Sequence, residues 1–447
     1  MQSALRATMP ESMSAPPSHA QVRRAVLASV IGNGLEWFDF LIYGYFAKTI
    51  AQVFFPVGNG FLSLTLTLAT FAIGFIVRPL GGIVIGAYAD RYGRRKTLSL
   101  LILLMATSTL LMGLTPGYSS IGIAAPLLVL LSRVLQGLSV GGEFATAAAM
   151  LSEYAPRGKK MFYGSFQMTS QAFALLLSSA CGYLLTTHLD RASLEAWGWR
   201  VPFLLGALIG PIGFYIRHKV AESPEFVEMR ERLGHAPQQS MRQFLRERSD
   251  ACLCAMGVII VGAATNYLWH SFLPLYVERQ LHLPLKNALF GTAVSGLISI
   301  VAYPLAGKLA DRVGAWRVFF PVVVIWAVIA YPLFAWVVAQ PTAERLFTAQ
   351  MIATLVLSIM SGPHPGMLTQ LFPTATRSTG VALSYNVAVT LFGGLAPLTV
   401  TTLISFTGSN LVPAYYLIFA AIVSLLLVGL SRSGRRLLRD PDAVPHD

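Results

Sequence analysis

Charged residues are scarce in this sequence of 447 residues and make up 12% of it. A soluble globular chain carries about 25%, and the share of hydrophobic residues here is correspondingly high, at 55%. Acidic residues are the scarcer sign, with 20 Asp and Glu against 33 Lys and Arg. This composition excludes a soluble multidomain protein and predicts a membrane protein.

Cysteine is also rare, with three residues at positions 181, 252 and 254. Their odd number and their spacing, in or beside apolar runs, fit neither a disulfide framework nor a zinc site. We therefore interpret them as small packing residues and expect no metal and no cofactor. The sequence also lacks the H-E-x-x-H, G-x-S-x-G and P-loop patterns. Their absence argues against a membrane-embedded enzyme and against a pump driven by ATP.

Apolar segments of about 20 residues, the length that crosses a bilayer, recur along nearly the whole chain. They predict an all-α membrane protein with twelve transmembrane helices in two six-helix bundles. The predicted spans are residues 25–51, 61–88, 97–115, 121–150, 161–186, 199–217, 251–278, 287–309, 317–338, 344–368, 379–405 and 411–431.

The longest polar stretch falls between the sixth and seventh spans and divides the chain into two halves. No short apolar stretch with a cleavage site precedes the first span, so we expect that span to be retained. The predicted organisation is a disordered N-terminal leader at 1–20, a six-helix bundle at 21–217, a cytoplasmic central loop at 218–249, a second six-helix bundle at 250–431 and a short cytoplasmic tail at 432–447.

The formal net charge of +13 would suit a nucleic-acid-binding protein, but its placement argues against that class. Clusters of Lys and Arg fall on alternate sides of successive spans, at 91–96, 157–160 and 432–439 for example, whereas the intervening loops carry only isolated basic residues. This positive-inside bias predicts a multi-pass protein of the cytoplasmic (inner) membrane with both termini in the cytoplasm.

An internal repeat relates the two halves. The loop after the second span reads "GAYADRYGRRK" (86–96), and the loop after the eighth span reads "GKLADRVGAWR" (307–317). Two related six-helix units, with a binding site near the middle of the bilayer between them, are typical of one large class of transporters.

The first of these loops resembles the loop motif of the major facilitator superfamily, G-x-x-x-D-R-x-G-R-R-K. The resemblance implies that its residues form a conformational latch between the halves. In the second loop Ala315 and Trp316 replace two basic positions, and for Lys96 an ordinary topogenic charge remains the alternative. The implied latch residues are Gly86, Asp90, Arg91, Gly93, Arg94 and Arg95.

A narrower resemblance covers most of the chain and points to the metabolite:proton symporter branch, above all to its citrate and tricarballylate carriers. It implies a carrier of a small organic anion together with a proton. We also expect a monomer in the lipid bilayer that binds no nucleic acid. Uptake of shikimate, 2-oxoglutarate, proline or betaine is the alternative. The stretches that carry the resemblance are "GNGLEWFDF" (32–40), "RPLGG" (78–82), "RVLQGLSVGGE" (133–143), "WGWRVPF" (197–203), "ESPEF" (222–226) and "LFGGLAP" (391–397).

Charged residues inside the spans indicate the site. At about 1.5 Å per residue, Glu36 lies roughly 18 Å above the basic boundary at Arg24, and Arg78 lies equally far from Asp90. Glu143 is ten residues before Glu153, a distance of roughly 15 Å along the helix. Two carboxylates and a guanidinium are thus expected to converge near the middle of the bilayer.

Arginine residues in the membrane favour a carboxylate substrate, since a guanidinium binds it through two parallel hydrogen bonds. We therefore assign Arg78 and Arg133 to substrate binding. We assign Glu36, Asp39 and Glu143 to proton coupling, because burial favours a protonated carboxyl whereas a neighbouring guanidinium favours an ionised one. Static Glu–Arg pairs that only join helices are the alternative.

Polar residues at helical spacing in the first, fifth and seventh spans complete the predicted site. Interhelical hydrogen bonding without a role in binding is the alternative for each of them. The additional substrate-binding candidates are Asn33, Tyr43, Gln167, Gln171, Asn266 and His270.

Overall fold

A computed structural model describes residues 19–218 and 241–439, together with Glu222, Val227 and Glu231. These residues contain helices and turns and no strand. The predicted leader up to residue 18, most of the predicted central loop and the end of the tail after residue 439 lie outside the described residues. The division of the chain into domains at 217 and 250 therefore stays a prediction.

Twelve long helical segments, labelled α1 to α12, follow one another along the described chain. Eleven of them are long and apolar enough to cross a membrane, and α6, with 18 residues, coincides with the predicted sixth span. Their bounds are α1 His19–Tyr45, α2 Gly60–Ile76 and Arg78–Tyr92, α3 Arg94–Leu114, α4 Ala124–Glu153, α5 Lys160–His188, α6 Val201–His218, α7 Met241–Gln280, α8 Leu285–Val313, α9 Ala315–Ala339, α10 Ala343–Ser361 and His364–Gln370, α11 Arg377–Thr407 and α12 Val412–Leu430.

Helix α7 begins at Met241, ten residues before the predicted start of the seventh span. The added segment, "MRQFLRERSD", contains three Arg and one each of Met, Gln, Leu and Glu, all of which are good helix formers. Hydropathy marks where a helix enters hydrocarbon but not where it ends in water, so a polar extension of this kind is missed.

Two helices that face the centre of the molecule contain a turn of π-helix, Tyr267–Phe272 in α7 and Thr390–Gly394 in α11. Helix α2 is also interrupted, at Val77, where Pro79 follows and cannot donate a backbone hydrogen bond. Such interruptions are frequent at functional sites because they turn side chains away from the regular helical direction.

Small residues allow the helices to pack closely within and between the halves. Within the first half, a Cβ on Gly137 of α4 would lie 2.1 Å from the carbonyl oxygen of Gly74 on α2. Between the halves, α2 packs against α11 and α5 packs against α8. Gly86 and Gly307 lie at these two contacts, next to Thr379 and Met161 respectively. In the repeat, α2 corresponds to α8 and α5 corresponds to α11. The two contacts are therefore equivalent, as expected for parallel repeats.

Candidate functional site

An ion pair between α1 and α2 joins two of the predicted site residues. A nitrogen of Arg78 is 3.6 Å from a carboxylate oxygen of Glu36, and their side chains are 0% and 3% exposed. The guanidinium lies 4.0 Å from the ring centre of Phe75 and 4.4 Å from that of Phe40. None of its three nitrogens has a hydrogen-bond partner among the described residues. Arg78 is therefore held by charge and by aromatic faces beside the hydroxyl of Tyr267, and its N–H groups make no hydrogen bond of good geometry to the described residues.

A second ion pair lies between α1 and α4. Arg133 donates a hydrogen bond of 2.9 Å to Asp39, and Gln136 donates to the same carboxylate oxygen. The Arg133 guanidinium lies 4.6 Å from the ring centre of Tyr43, whose hydroxyl donates to the carbonyl oxygen of Thr67. This pair belongs entirely to the first half and is more fully hydrogen-bonded than the pair of Glu36 and Arg78.

Glu143 of α4 is also buried, with 3% of its surface exposed, and its charge acts on that of Glu36. The structure thus brings Glu36, Arg78 and Glu143 together, as the depths along the helices predict. It assigns Asp39 to a separate partner, Arg133, on another side of α1. The five charged residues assigned to the site therefore form two groups, one of three residues and one of two.

Two small cavities lie between the halves and share Trp37, Gln171 and Asn266 in their walls. The larger cavity, of about 30 Å³, is also lined by Phe144, Met168, Ile259, Gly262, Ala263, Tyr267, Ser361, His364, Leu368, Tyr385 and Val389. The smaller cavity, of about 10 Å³, is also lined by Leu41, Ala172, Leu175, His270, Ser299 and Tyr303.

These volumes are too small for an organic substrate. One water molecule needs roughly 10 to 15 Å³ on this measure, so the two cavities together hold about three waters. Neither cavity can hold an organic substrate in this structure, so a substrate must enter them through separation of helices.

Three of the predicted substrate-binding residues line the cavities, namely Gln171, Asn266 and His270. Arg78, Arg133, Asn33, Tyr43 and Gln167 are not among the lining residues. Asn33 instead joins α1 to α5, where it donates to the backbone oxygen of Gln167 and to the hydroxyl of Ser170. Its contacts fit the alternative of a hydrogen bond that joins two helices.

Aromatic residues that the sequence pattern does not single out form much of the cavity wall. Trp37 follows Glu36 directly, and its ring centre lies 5.3 Å from that of Tyr267 in the π-helical turn of α7. Phe144 and Tyr385 stack across the halves with ring centres 3.7 Å apart and an angle of 4°. Only their place in the sequence could have pointed to two of them, because Trp37 directly follows Glu36 and Phe144 directly follows Glu143.

Several polar atoms of the cavity wall have no hydrogen-bond partner among the described residues. They are Nε1 of Trp37, Nε2 of Gln171, the hydroxyl of Tyr267 and Nε2 of His364. A buried polar group without a partner costs about 1 to 3 kcal/mol. The wall therefore offers unused polar groups, three of them with a hydrogen to donate, to whatever occupies the space after it opens.

Buried charges close the end of the bundle that carries the basic loops, which is here named the basic end. Asp90 accepts hydrogen bonds from the backbone N–H and hydroxyl of Thr379 in the other half, at 3.0 and 2.8 Å. Glu153 pairs with Arg94 at 3.3 Å and, across the halves, with Arg377 at 3.0 Å. The acids of the first half thus hold the start of α11.

The second copy of the motif makes the matching contact. Asp311, at the end of α8, accepts hydrogen bonds of 3.0 and 2.9 Å from the backbone N–H groups of Met161 and Phe162 at the start of α5. A carboxylate at a helix N-terminus satisfies N–H groups that have no partner within the helix. This contact does not need the basic positions that Ala315 and Trp316 replace.

The other predicted latch residues have distinct surroundings. Gly93 has a φ angle of 100°, a conformation that favours glycine, and so turns the chain from α2 into α3. Glu222 accepts hydrogen bonds from the backbone N–H groups of Arg94 and Arg95. Arg91 is exposed and lies 5.1 Å from the ring centre of Tyr92 on its own helix.

The opposite end of the bundle is joined by a weaker contact. Lys48, after α1, lies 2.7 Å from Glu278 of α7, and their side chains are 56% and 30% exposed. An exposed pair of this kind contributes about 0 to 1 kcal/mol. Closure is therefore less strongly bonded here than at the basic end.

The family to which the chain belongs follows from its similarity to known proteins. A sequence model of the Major Facilitator Superfamily matches residues 30–397. The chain belongs to this superfamily. The family resemblance deduced from the loop motif is thereby confirmed, and the protein is a multi-pass membrane transporter.

Individual relatives in the superfamily are similar along nearly their whole length. The citrate-proton symporter of Salmonella typhi is 35% identical over 422 residues, which cover 93% of this chain and 96% of the relative. The proline/betaine transporter of Escherichia coli K12 is 32% identical over 436 residues, which cover 96% of this chain and 87% of the relative.

The fold is also that of the superfamily. A solved structure of the proton:xylose symporter XylE, bound to 6-bromo-6-deoxy-D-glucose, is similar with a TM-score of 0.78. The similarity covers 95% of this chain and 96% of that one at 16% sequence identity. The predicted fold class, an all-α membrane protein with twelve helices in two bundles, is confirmed.

Proposed function

We propose that the protein is a proton-coupled symporter of a small organic anion, a di- or tricarboxylate such as citrate. It works by alternating access across the cytoplasmic membrane, with the basic end and both termini in the cytoplasm. The observation that carries this proposal is the buried pair of Glu36 and Arg78, whose guanidinium has unused N–H groups. Intramembrane pairs of this kind mark the paths of ions and substrates.

The unused donors favour a substrate rich in acceptors. Arg78, Trp37 and Gln171 all carry N–H groups without a partner among the described residues. A carboxylate accepts hydrogen bonds through two oxygens, and from an arginine it accepts two in parallel. No carboxylate lines either cavity within the described residues. An anion of two or three carboxylates would satisfy the donors of Trp37 and Gln171 without repulsion from a carboxylate of the cavity wall, and at Arg78 it would compete with Glu36.

Coupling to protons follows from competition for Arg78. Glu36 is its partner in the closed state, and Glu143 acts on Glu36 as a second negative charge. A substrate carboxylate can take the place of Glu36 beside the Arg78 guanidinium. A proton on Glu36 then removes the repulsion between Glu36 and the substrate carboxylate. Substrate and proton are thereby bound together. Asp39, with its own partner Arg133, is a second proposed coupling group.

Alternating access is supported by contacts that close both ends of the bundle. At the basic end, Asp90 holds the start of α11 and Asp311 holds the start of α5, each across the halves. Release of these bonds would open the space between the halves to the proposed cytoplasmic side, while release of Lys48 from Glu278 would open it to the other side.

A second candidate substrate is a zwitterionic osmolyte. One relative is a proline/betaine transporter, and the aromatic wall, which includes Trp37, Tyr267 and Tyr385, would suit a quaternary ammonium group. The carboxylate of such a substrate would still need Arg78, so the two candidates differ in the number of carboxylates and not in the first contact.

Uptake into proteoliposomes tests the proposal. With an inward proton gradient, labelled citrate is expected to accumulate above the external concentration, and a protonophore is expected to abolish this accumulation. Betaine and proline are tested in parallel under the same gradient. Accumulation of betaine without that of any carboxylate would favour the second candidate, and citrate uptake that is indifferent to the protonophore would contradict proton coupling.

A further inference from the structure

A chain of polar side chains crosses the space between the halves. The amide nitrogen of Asn266 on α7 lies 3.4 Å from the amide oxygen of Gln171 on α5 and donates to it. The amide oxygen of Asn266 lies 2.8 Å from Nδ1 of His270. Because this oxygen can only accept, Nδ1 of His270 must carry the hydrogen. The chain thus fixes which tautomer the histidine adopts.

The fixed tautomer has a consequence for Nε2 of the same ring. A neutral imidazole has one donor and one acceptor, so Nε2 carries a lone pair. His270 is buried, and no carboxylate lines its cavity within the described residues to compensate an imidazolium charge. Its ring makes no further hydrogen bond to the described residues. His270 therefore presents an unused acceptor, Nε2, to the cavity. In the same wall, the unused nitrogens of Trp37 and Gln171 are donors.

The lone pair on Nε2 of His270 repels a carboxylate, so this atom needs a substrate group that donates a hydrogen bond. The smaller cavity is also lined by Ser299 and Tyr303, but the Ser299 hydroxyl already lies 3.3 Å from that of Ser358. A substrate hydroxyl is the group that fits, because it donates to Nε2 while its carboxylates take the N–H groups of the wall.

We infer that His270, oriented by Asn266 and Gln171, accepts a hydrogen bond from a hydroxyl group of the substrate, so that the carrier selects hydroxylated carboxylates over their deoxy analogues. This inference rests on the proposed transport of carboxylates and names the subclass. Sites that hydrogen-bond a substrate hydroxyl reject the analogue without it, because the polar group of the site is left unpaired.

Matched pairs of acids test the inference on the unmodified protein. Citrate and tricarballylate share three carboxylates and differ in one hydroxyl, and malate and succinate differ in the same way. In proteoliposomes with an inward proton gradient, the hydroxylated acid of each pair is expected to have a kcat/KM about tenfold higher. Equal values within both pairs would overturn the inference and leave the proposed function intact. Uptake of none of the four acids would overturn both.

Variants of His270 assign the preference to this residue. His270→Leu is expected to lower citrate uptake to the level of tricarballylate, whereas His270→Gln, which retains an acceptor, is expected to keep part of the preference. His364→Leu is the matched control, since His364 lines the other cavity, and it is expected to change both acids by the same factor. A full citrate preference in a folded His270→Leu protein would overturn the inference.

Discussion

Loss of the Asp90 carboxylate should open the basic end of the molecule. Asp90 accepts two hydrogen bonds from Thr379 across the halves, and its side chain is 12% exposed. Hydrogen bonds to a charged group contribute about 1.5 to 3 kcal/mol each. With the lower value for each bond, Asp90→Ala removes about 3 kcal/mol from the closed state. The ratio of open to closed molecules should then rise more than a hundredfold, at about 1.4 kcal/mol per factor of ten.

Accessibility of a buried position at the basic end measures this shift. Thr369 is 1% exposed and hydrogen-bonds across the halves to Ser152. A cysteine at position 369, in a background whose three native cysteines are replaced by serine, should react with a polar maleimide only in molecules open at this end. Its labelling rate in the Asp90→Ala protein is therefore expected to rise about a hundredfold, in step with the open fraction.

Two further variants make the result interpretable. Lys96→Gln removes one charge from an exposed position of the same motif and should leave the labelling rate unchanged. Asp311→Ala removes the symmetry-related contact and should increase labelling by a similar factor, although its motif copy lacks two basic residues. An unchanged labelling rate in folded Asp90→Ala protein would refute the role of Asp90 in the latch. An increase in the Asp90→Ala protein but not in the Asp311→Ala protein would refute the equivalence of the two motif copies.

The remaining predictions concern the buried charges and the helix packing. Arg78→Ala should abolish uptake and destabilise the protein by about 3 to 5 kcal/mol, because Glu36 is left as an unpaired buried charge; the double variant with Glu36→Gln should recover thermal stability in detergent but not uptake. Glu36→Gln alone should still exchange substrate across the membrane but fail to accumulate it under a proton gradient, and normal accumulation would exclude Glu36 from coupling. Gly137→Leu should separate α4 from α2 and lower the yield of folded protein, since a Cβ there already meets the oxygen of Gly74 at 2.1 Å. Leu at Gly429, where a Cβ meets nothing within 4 Å, should leave the yield unchanged.

The fold and the depth of the charges could be predicted because both depend on one coordinate, the distance along a helix. Each residue adds 1.5 Å, so the equal depths of Glu36 and Arg78 follow from their distances to the basic loops, and the structure pairs them. The direction around each helix axis is a second coordinate that length does not give. For this reason the sequence did not separate Asp39, which faces Arg133, from Glu36.

The aromatic cavity wall was missed for a related reason. An aromatic residue of a transmembrane helix can face lipid, a neighbouring helix or a cavity, and hydropathy is the same in all three cases. In α7 the π-helical turn Tyr267–Phe272 also changes the angle between successive side chains. The regular helical spacing that placed Asn266 and His270 on one side therefore says nothing about Tyr267, which lies against Trp37.

The two ends of the bundle differ in how strongly they are bonded, and this difference sets the order of opening. At the basic end, Glu153 is held by a buried ion pair across the halves, and Asp90 and Asp311 are held by partly buried hydrogen bonds. At the opposite end, Lys48 and Glu278 form a water-exposed pair, whose attraction is weak and is screened by salt. Opening at the opposite end therefore costs less free energy, so the empty protein should receive its substrate there.

A bound anion that draws Arg78 away from Glu36 acts close to α11, because the Thr390 hydroxyl of α11 donates a hydrogen bond to the backbone oxygen of Phe75 on α2. Since Phe75 also lies against the guanidinium, a change in the partner of Arg78 reaches the same pair of helices that Asp90 holds closed.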